Sequence, residues 1–327
     1  TDDTDDTDDT DDTDDTDTDT DPGDGDGDGY TADDGDCDDT DATVFPYDSD
    51  GDGVADGCGW RVTAGYFYNC ALDSAGSITC WGDDTYDQVT DAISGTGYAV
   101  VSAGAQHSCA IDSLGSMECW GWDGYDLIAD TPTTTGYTAV SGGGAHNCSL
   151  DSSGTLDCWG YDGNGEVTHA PTTRGLTAVS AGQYHNCVLD SSGGIECWFT
   201  DLHGVISGTP TSTGYTEVSA GQHHNCALDA SGTIDCWGWD DYLQSSDAPT
   251  GSGYLAVAAG GFHSCAIDSS GSIDCWGDDV YGQVSGAPTS TGYTAMSAGQ
   301  RHTCGINATG GIECWGDDSY NQVSDTP

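Results

Sequence analysis

From residue 60 onward, short apolar runs alternate with turns rich in glycine and proline. Between residues 214 and 249 the runs are Tyr-Thr-Glu-Val, Asn-Cys-Ala-Leu and Thr-Ile-Asp-Cys-Trp, without helical periodicity, which predicts three short β-strands. The pattern recurs seven times at a constant step of 39 residues. Such repeats are typical of propeller blades, and seven of them fit a closed ring that removes exposed sheet edges. A stacked β-solenoid is the alternative architecture.

Each repeat contains two cysteines ten positions apart, on either side of a turn. In the first copy the turn fits a three-residue hairpin loop with Gly76 in the left-handed region. Closing this loop places Cys70 opposite Cys80, at the roughly 4.5 Å Cα spacing of a non-hydrogen-bonded pair. We therefore predict one disulfide per hairpin, each contributing about 2.5–3 kcal/mol by loop entropy. The pairs are Cys70–Cys80, Cys109–Cys119, Cys148–Cys158, Cys187–Cys197, Cys226–Cys236, Cys265–Cys275 and Cys304–Cys314.

Composition places the chain outside the cell. The 327 residues include 16 cysteines, and Cys37 and Cys58 remain as candidates for each other once the hairpins are paired. An even set of this kind predicts an oxidising compartment: secreted, periplasmic or cell-surface. The formal charge of −54, with three arginines and no lysine, argues against nucleic acid and anionic membranes and favours cations such as calcium. No apolar run is long enough for membrane insertion. Without an initial Met or signal peptide, we expect a processed or partial chain.

Residues 1–21 form an acidic tract of Thr-Asp-Asp and Thr-Asp units. Charge repulsion extends such a tract, and its period of three matches polyproline II, which would place most threonines along one edge. We expect an extended stem that O-linked sugars modify; a plain solvated linker is the alternative. An Asn-Ala-Thr sequon on a hairpin turn adds one N-glycosylation candidate. The candidates are Thr1, Thr4, Thr7, Thr10, Thr13, Thr16, Thr18, Thr20 and Asn307.

Residues 22–59 carry Asp at alternate positions followed by Gly. This spacing is the start of a calcium loop, in which carboxylates at positions 1, 3 and 5 converge and a following carbonyl adds a ligand. No EF-hand Glu or flanking helix accompanies it, so we predict helix-free Ca²⁺ loops, stapled by Cys37 and Cys58. An acidic linker without tight sites is the alternative. The candidate ligands are Asp24, Asp26, Asp28, Tyr30, Asp36, Asp38, Asp39, Asp41, Asp48, Asp50, Asp52, Val54 and Asp56.

This segment resembles two known families. The run Asp-Gly-Asp-Gly-Tyr, followed by Cys-Asp-Asp-Thr-Asp-Ala-Thr-Val-Phe-Pro at 37–46, is similar to a metal-binding repeat named after a copper-binding surface protein of methanotrophs. It also resembles the thrombospondin type 3 calcium repeat. The candidate ligands are hard oxygen atoms and no His precedes His107, which favours calcium over copper. The expected domains are thus 1–21, 22–59 and 60–327.

The long repeat resembles the regulator of chromosome condensation repeat. The resemblance rests on Val-Ser-Ala-Gly-x-x-His-x-Cys, Cys-Trp-Gly-x-Asp and Tyr-x-Gln-Val, and it covers about 268 residues. It implies a seven-bladed propeller. In the founding member it implies nucleotide exchange on a small GTPase and chromatin binding, which do not suit an acidic, disulfide-bonded chain. Secreted bacterial relatives are binding scaffolds, one of them an inhibitor of β-lactamases.

Several positions recur in register. The histidines are interpreted as structural, bonded to backbone inside their own blade as the resemblance implies, with a metal ring as the alternative. The glycine before them serves backbone freedom or close packing, and the tryptophan after the second cysteine packs between blades. A sevenfold Asp caps its own turn, or it forms an acidic ring for calcium or glycans. These sets start at His107, Gly65, Trp81 and Asp84 and recur every 39 residues, with Tyr68 in the histidine position of the first copy.

No catalytic constellation stands out in the sequence, so we expect a protein that is not an enzyme. The leading hypothesis is a secreted structural protein that binds calcium and is glycosylated. Its stem would join subunits head to tail into a fibre or surface layer. The alternative is an extracellular binding module, inhibitor or adhesin-like, that recognises a protein or glycan and uses the acidic tract as a tether. Irregular copies three and four, with Asn164, Glu166 and the stretch 199–203, are where we expect a partner contact.

Overall fold

The computed structural model describes residues 60–163 and 165–327, within a compact unit that spans Gly59–Pro327. Twenty-one β-strands form seven three-stranded antiparallel sheets. The strands are β1 (Arg61–Ala64), β2 (Tyr68–Leu72), β3 (Ile78–Gly82), β4 (Tyr98–Ala103), β5 (His107–Asp112), β6 (Met117–Gly121), β7 (Tyr137–Gly142), β8 (His146–Asp151), β9 (Leu156–Gly160), β10 (Leu176–Ala181), β11 (His185–Asp190), β12 (Ile195–Phe199), β13 (Tyr215–Ala220), β14 (His224–Asp229), β15 (Ile234–Gly238), β16 (Tyr254–Ala259), β17 (His263–Asp268), β18 (Ile273–Gly277), β19 (Ala295–Ala298), β20 (His302–Ile306) and β21 (Ile312–Gly316).

Each sheet is one blade of a seven-bladed propeller, as the repeat predicts. A blade is built from three consecutive strands in the order first, second, third, so no strand is exchanged between blades. Short 3-10 turns lie at Gly124–Asp126 and Leu202–Gly204. No helix in the described part of the chain has the length and apolarity that a membrane span requires.

The hairpin between the second and third strands forms as predicted. The amide of Asp73 donates to the Ser77 carbonyl at 3.0 Å, and Gly76 has a φ of +74°. Cys70 faces Cys80, and the two form a disulfide across a Cα distance of 4.0 Å. The six other hairpin disulfides also form. Their Cα distances of 4.0–4.1 Å are shorter than expected but confirm the narrow pair.

Tryptophan side chains fill the interfaces between blades, as predicted. Trp237 of the fifth blade packs against Cys187 and Leu189 of the fourth. Its indole N–H donates to the Val205 carbonyl of the fourth blade at 2.9 Å. Each of the seven tryptophans makes the equivalent bond to the preceding blade. Each interface therefore combines apolar burial with a satisfied indole donor.

The first strands of all seven blades surround a central cavity of about 240 Å³. The recurring glycines lie beside it, and a Cβ at Gly104 would stand 2.8 Å from the Gly143 carbonyl oxygen of the next blade. Around this ring, backbone amides bond to the next blade's glycine carbonyl, as Ala105 does to Gly143 at 3.0 Å. Of the two roles expected for these glycines, the structure shows close packing.

Candidate functional site

Two sets of loops lie side by side at one edge of every blade. One joins the first strand to the second, and the other follows the third strand. They are linked by backbone bonds such as the one from Trp239 N to the His223 carbonyl oxygen at 2.9 Å. We call the surface formed by these loops the loop face. The hairpin turns lie at the opposite edge, because the strands are antiparallel.

The sevenfold aspartates on the loop face cap their own turns, which confirms the turn interpretation. In the fourth blade, Asp201 Oδ1 accepts from the amides of Ile206 and Ser207, both at 2.9 Å. The bond from the Ser207 amide is the main cause that lowers the pKa of Asp201. The other six aspartates of the set accept equivalent amides. No cluster of three or more potential metal ligands occurs among residues 60–163 and 165–327. The alternative of a calcium-binding acidic ring therefore has no support there.

The histidines contact the next blade, so the expected bond to backbone within the blade is wrong. His107 Nε2 lies 2.7 Å from Asn147 Oδ1 of the following blade. The five other histidines make the corresponding bond to Asn, Ser or Thr. In the first copy, Tyr68 donates to the His107 carbonyl at 2.5 Å. We call these seven residues the histidine belt.

The belt is buried and neutral. All six histidines are at most 1% exposed. Burial lowers the pKa of His107 to about 4 and that of His224 to about 3. With Nε2 bonded to the next blade, the belt serves as a structural joint. This arrangement also explains why Asn147, the first residue of an Asn-Cys-Ser sequon, is fully buried.

Aromatic side chains crowd the loop face, and among them only His203 belongs to a stretch that the sequence predicts as a partner contact. In blades four to six, His203 stacks on Trp239 at 5.2 Å between ring centres, and Phe262 contacts both Trp239 and Tyr242. In blades two and three, Tyr125 lies 5.7 Å from Trp122 and 4.7 Å from Tyr161. The signal that could have found them is the recurrence of aromatic residues in the loop after the third strand and, in some copies, at the position before the belt histidine.

A pocket of about 350 Å³ opens beside the second of these clusters. Tyr66, Trp122, Tyr125, Tyr161 and Tyr184 line it. Tyr125 is 55% exposed and Tyr184 is 41% exposed, so the pocket meets solvent along aromatic surface. Its volume lies in the range of small-ligand pockets, about 300–1,000 Å³.

Two buried oxygen atoms at this pocket lack a hydrogen-bond partner within the described residues: Tyr66 Oη and Gln183 Oε1. The amide nitrogen of Gln183 is used, because it donates to the Tyr184 hydroxyl at 2.8 Å. Burial raises the pKa of the Tyr66 hydroxyl, which therefore stays protonated. Tyr66 and Gln183 also line the central cavity, and the surface that this pocket presents to solvent is aromatic.

The irregular third and fourth copies contribute to this face. Glu166 of the third copy is 1% exposed and lines the pocket, and His203 of the fourth belongs to the other cluster. Phe199, in place of the usual Gly, adopts a φ of +100°. Asn164 lies outside the described residues. The partner contact expected at these copies stays a prediction.

Asn307 lies in the hairpin turn of the seventh blade, as expected. Its Oδ1 accepts from the amides of Thr309 and Gly311, both at 3.0 Å, and its Nδ2 donates to Glu313 Oε1 at 3.1 Å. The nitrogen that a sugar would modify is therefore engaged with Glu313. The threonine candidates, the candidate calcium ligands, Cys37 and Cys58 all lie outside the described residues.

The geometry defines a disulfide-stapled, seven-bladed propeller of three-stranded blades, and comparison with known proteins agrees. Four segments match the family model "Regulator of chromosome condensation (RCC1) repeat": residues 61–88, 215–244, 255–283 and 293–322. These segments lie in four of the seven blades, which are therefore similar in sequence to the RCC1 repeat. Comparison with curated protein sequences finds no match.

Solved structures with a similar fold include two plant receptor ectodomains. One is the entire ectodomain of the receptor kinase CR4 of Physcomitrella patens, with 26% identity and a TM-score of 0.65 over 79% of this chain and 74% of that one. The other is the CRINKLY WD40 ectodomain of ACR4 of Arabidopsis thaliana, with the same identity, TM-score and coverage of this chain, and 97% of that one. Prp20p of Saccharomyces cerevisiae shares the fold at 14% identity and a TM-score of 0.62, over 82% of this chain and 83% of that one.

The disulfides and the ectodomain similarity together point to an extracellular protein. None of the matched families or structures above indicates an enzyme family.

Proposed function

We propose that this propeller is an extracellular binding module and that its loop face holds the partner. The observation that carries the proposal is the aromatic surface around a pocket with two unsatisfied acceptors. Exposed aromatic side chains on a rigid scaffold supply large contact area at low entropic cost, and they are enriched at interfaces. The similarity to receptor ectodomains supports the same class of function.

The test compares binding by three forms of the full chain on arrays of immobilised extracellular peptides and glycans. A loop-face variant carries Trp122→Ala and Trp239→Ala. The control carries Leu114→Ser in a hairpin turn, where Leu114 is 77% exposed. We expect the loop-face variant to lose at least tenfold in affinity for the ligands that the native chain selects, with the control unchanged. Equal binding by the loop-face variant would refute the proposal.

A second candidate function is carried by residues 1–59, whose sequence pattern supports it. We propose that the Asp-Gly loops bind Ca²⁺ through oxygen ligands and that the Thr/Asp stem, with sugars on its threonines, joins subunits into a fibre or surface layer. Deletion of residues 1–21 separates the two functions. Without these residues, a fibre subunit should no longer form assemblies that electron microscopy detects, whereas a binding module should retain its affinity for its ligand.

Calcium and sugars have their own tests. If the loops are structural sites, a chelator lowers thermal stability and protease resistance, because bound ligand stabilises the folded state. Unchanged stability with chelator would count against them. Intact-mass measurement before and after removal of O-linked sugars tests the modification of the stem, and an unaltered mass would exclude it.

A further inference from the structure

The residue before each belt histidine differs between blades, and at the pocket it is small. The residue before each belt histidine lies toward the loop of the preceding blade. In the first blade this residue is Phe67, and its ring lies 5.2 Å from that of Tyr320. In the third blade the same position holds Ala145, opposite Tyr125. Alanine is too short to cover a tyrosine ring, and Tyr125 is 55% exposed.

The seventh blade fills the same position with a cation. The guanidinium carbon of Arg301 stands 4.7 Å from the centre of the Tyr281 ring. Arg301 Nη1 also donates to the Tyr281 hydroxyl at 3.0 Å. Arg301 and Tyr281 follow Ala145 and Tyr125 by four 39-residue repeats. The molecule therefore shows how a guanidinium lies over the tyrosine at this position. In the third blade the small side chain of Ala145 leaves room for the pocket, which Tyr161 lines at 4.7 Å from the Tyr125 ring.

The chemistry of the pocket matches such a group. Aromatic faces attract cations, and a guanidinium carries five N–H donors and no acceptor. Gln183 Oε1 and Tyr66 Oη are buried acceptors without a partner among the described residues. Glu166 also lines the pocket, and residues 60–327 contain 31 Asp and Glu against three Arg. Among cations, a guanidinium is the one that the protein itself places at the equivalent position, through Arg301 over Tyr281.

The geometry points to an arginine side chain of a protein partner as the occupant of the pocket. This inference rests on the proposed function, because it identifies what the loop face binds. A peptide segment fits better than a free small molecule, since exposed Tyr184 continues the aromatic surface beyond the pocket. The partner's arginine would lie over Tyr125 as Arg301 lies over Tyr281.

The experiment is calorimetric titration of the full chain, in physiological salt, with the peptide acetyl-Gly-Arg-Gly-amide. The matched ligand is the same peptide with citrulline, which keeps the shape and removes the charge. We expect saturable one-site binding of the arginine peptide and roughly tenfold weaker binding of the citrulline peptide, given the strength of a desolvated cation–π contact. Equal affinity for both peptides, or no binding of the arginine peptide, would overturn the inference.

Three variants locate the site. Ala145→Arg should abolish binding by filling the pocket from within, and the fold should tolerate it because the seventh blade carries arginine there. Tyr125→Ala should weaken binding roughly five- to tenfold by removing the ring. Glu166→Gln, which installs the residue found at the equivalent position of four other blades, should weaken it roughly two- to fivefold. Full affinity in Ala145→Arg would refute the assignment.

A control variant distinguishes binding in this pocket from general attraction to the acidic surface. Two further outcomes distinguish the arginine pocket from the proposed function as a binding module. Leu114→Ser, in a hairpin turn away from the loop face, should bind the arginine peptide with unchanged affinity; equal losses in Leu114→Ser and Tyr125→Ala would contradict a site at Tyr125. If array ligands without a cation bind the loop face and the arginine peptide does not bind, the proposed binding module is supported and the arginine pocket is refuted. If the loop-face variant binds every array ligand with native affinity, the proposed function itself is refuted.

Discussion

His302 of the last blade lies 2.7 Å, Nε2 to Oδ1, from Asn69 of the first blade, although 233 residues separate them. The same Asn69 donates through Nδ2 to the Gln322 carbonyl at 2.8 Å. Alongside them, Ala64 N donates to Ser297 Oγ at 2.9 Å. The ring is thus closed by the same side-chain bonds that join its other blades, and no strand among residues 60–163 and 165–327 is shared between the first and last blades.

Asn69→Ala should destabilise the propeller by about 1–3 kcal/mol, the cost of leaving buried polar groups unpaired. Asn186→Ala is the matched control, because Asn186 bonds to His146 and to the Glu166 carbonyl inside the ring. In a closed ring, the two variants lose similar stability in urea unfolding. A loss in Asn186→Ala with none in Asn69→Ala would show that the first and last blades are not joined.

The free energy of unfolding should decrease as the pH is lowered, because the belt histidines are neutral in the folded protein and bind protons in the unfolded chain. Burial lowers the pKa of every belt histidine, to about 4 for His185 and about 3 for His263, against about 6.5 in the unfolded chain. Between pH 6.5 and 4 the unfolded state therefore binds more protons. The contribution of each buried, neutral histidine to the free energy of unfolding is complete above pH 6.5. It decreases by about 1.4 kcal/mol per pH unit as the pH falls below that value.

Urea unfolding at pH 7.5, 6 and 5 measures this slope. His224→Gln should flatten it by about one proton, because one buried histidine is removed. Carboxylates with a lowered pKa, such as Asp162, contribute only at still lower pH. Equal stability at pH 7.5 and pH 5 would contradict the buried, neutral belt.

Features fixed by neighbouring residues could be predicted from the sequence. The hairpin from Cys70 to Cys80, with Gly76 in its turn, depends on residues within ten positions of one another, and it forms as predicted. The cap made by Asp201 is equally local. The interfacial role of Trp237 could also be predicted, since a large apolar residue at the same place in every repeat has to be buried between repeats.

Features that depend on the neighbouring blade could not be predicted. The partner of His107 lies 40 residues away, and the choice of Asn147 Oδ1 over a local carbonyl follows from the angle between blades. The pocket also arises from contacts between repeats, where the small side chain of Ala145 faces Tyr125. The 39-residue step reveals which positions are equivalent but not which of them meet.

Gly104→Ala should destabilise the propeller by about 1–3 kcal/mol through overpacking. The new Cβ would lie 2.6 Å from His107 Cε1 and 2.8 Å from the Gly143 carbonyl oxygen, where neither neighbour can retreat without disturbing the next blade. Gly251→Ala is the control, because its nearest neighbour would be 3.9 Å away. Thermal unfolding should show a lower midpoint for the first and an unchanged or higher one for the second. Similar midpoints would refute close packing at the axis.

Trp120→Phe should cost about 1–3 kcal/mol, because it leaves the buried Gln88 carbonyl without the indole donor that now bonds to it at 3.0 Å. Trp122→Phe, two residues later on the loop face, should change stability by no more than about 0.5 kcal/mol. Chemical unfolding measures both. The difference between the two losses in unfolding free energy tests whether the tryptophans have separate roles: Trp120 joins blades, and Trp122 is proposed to bind the partner. Equal losses would assign Trp122 to the core and weaken its role on the loop face.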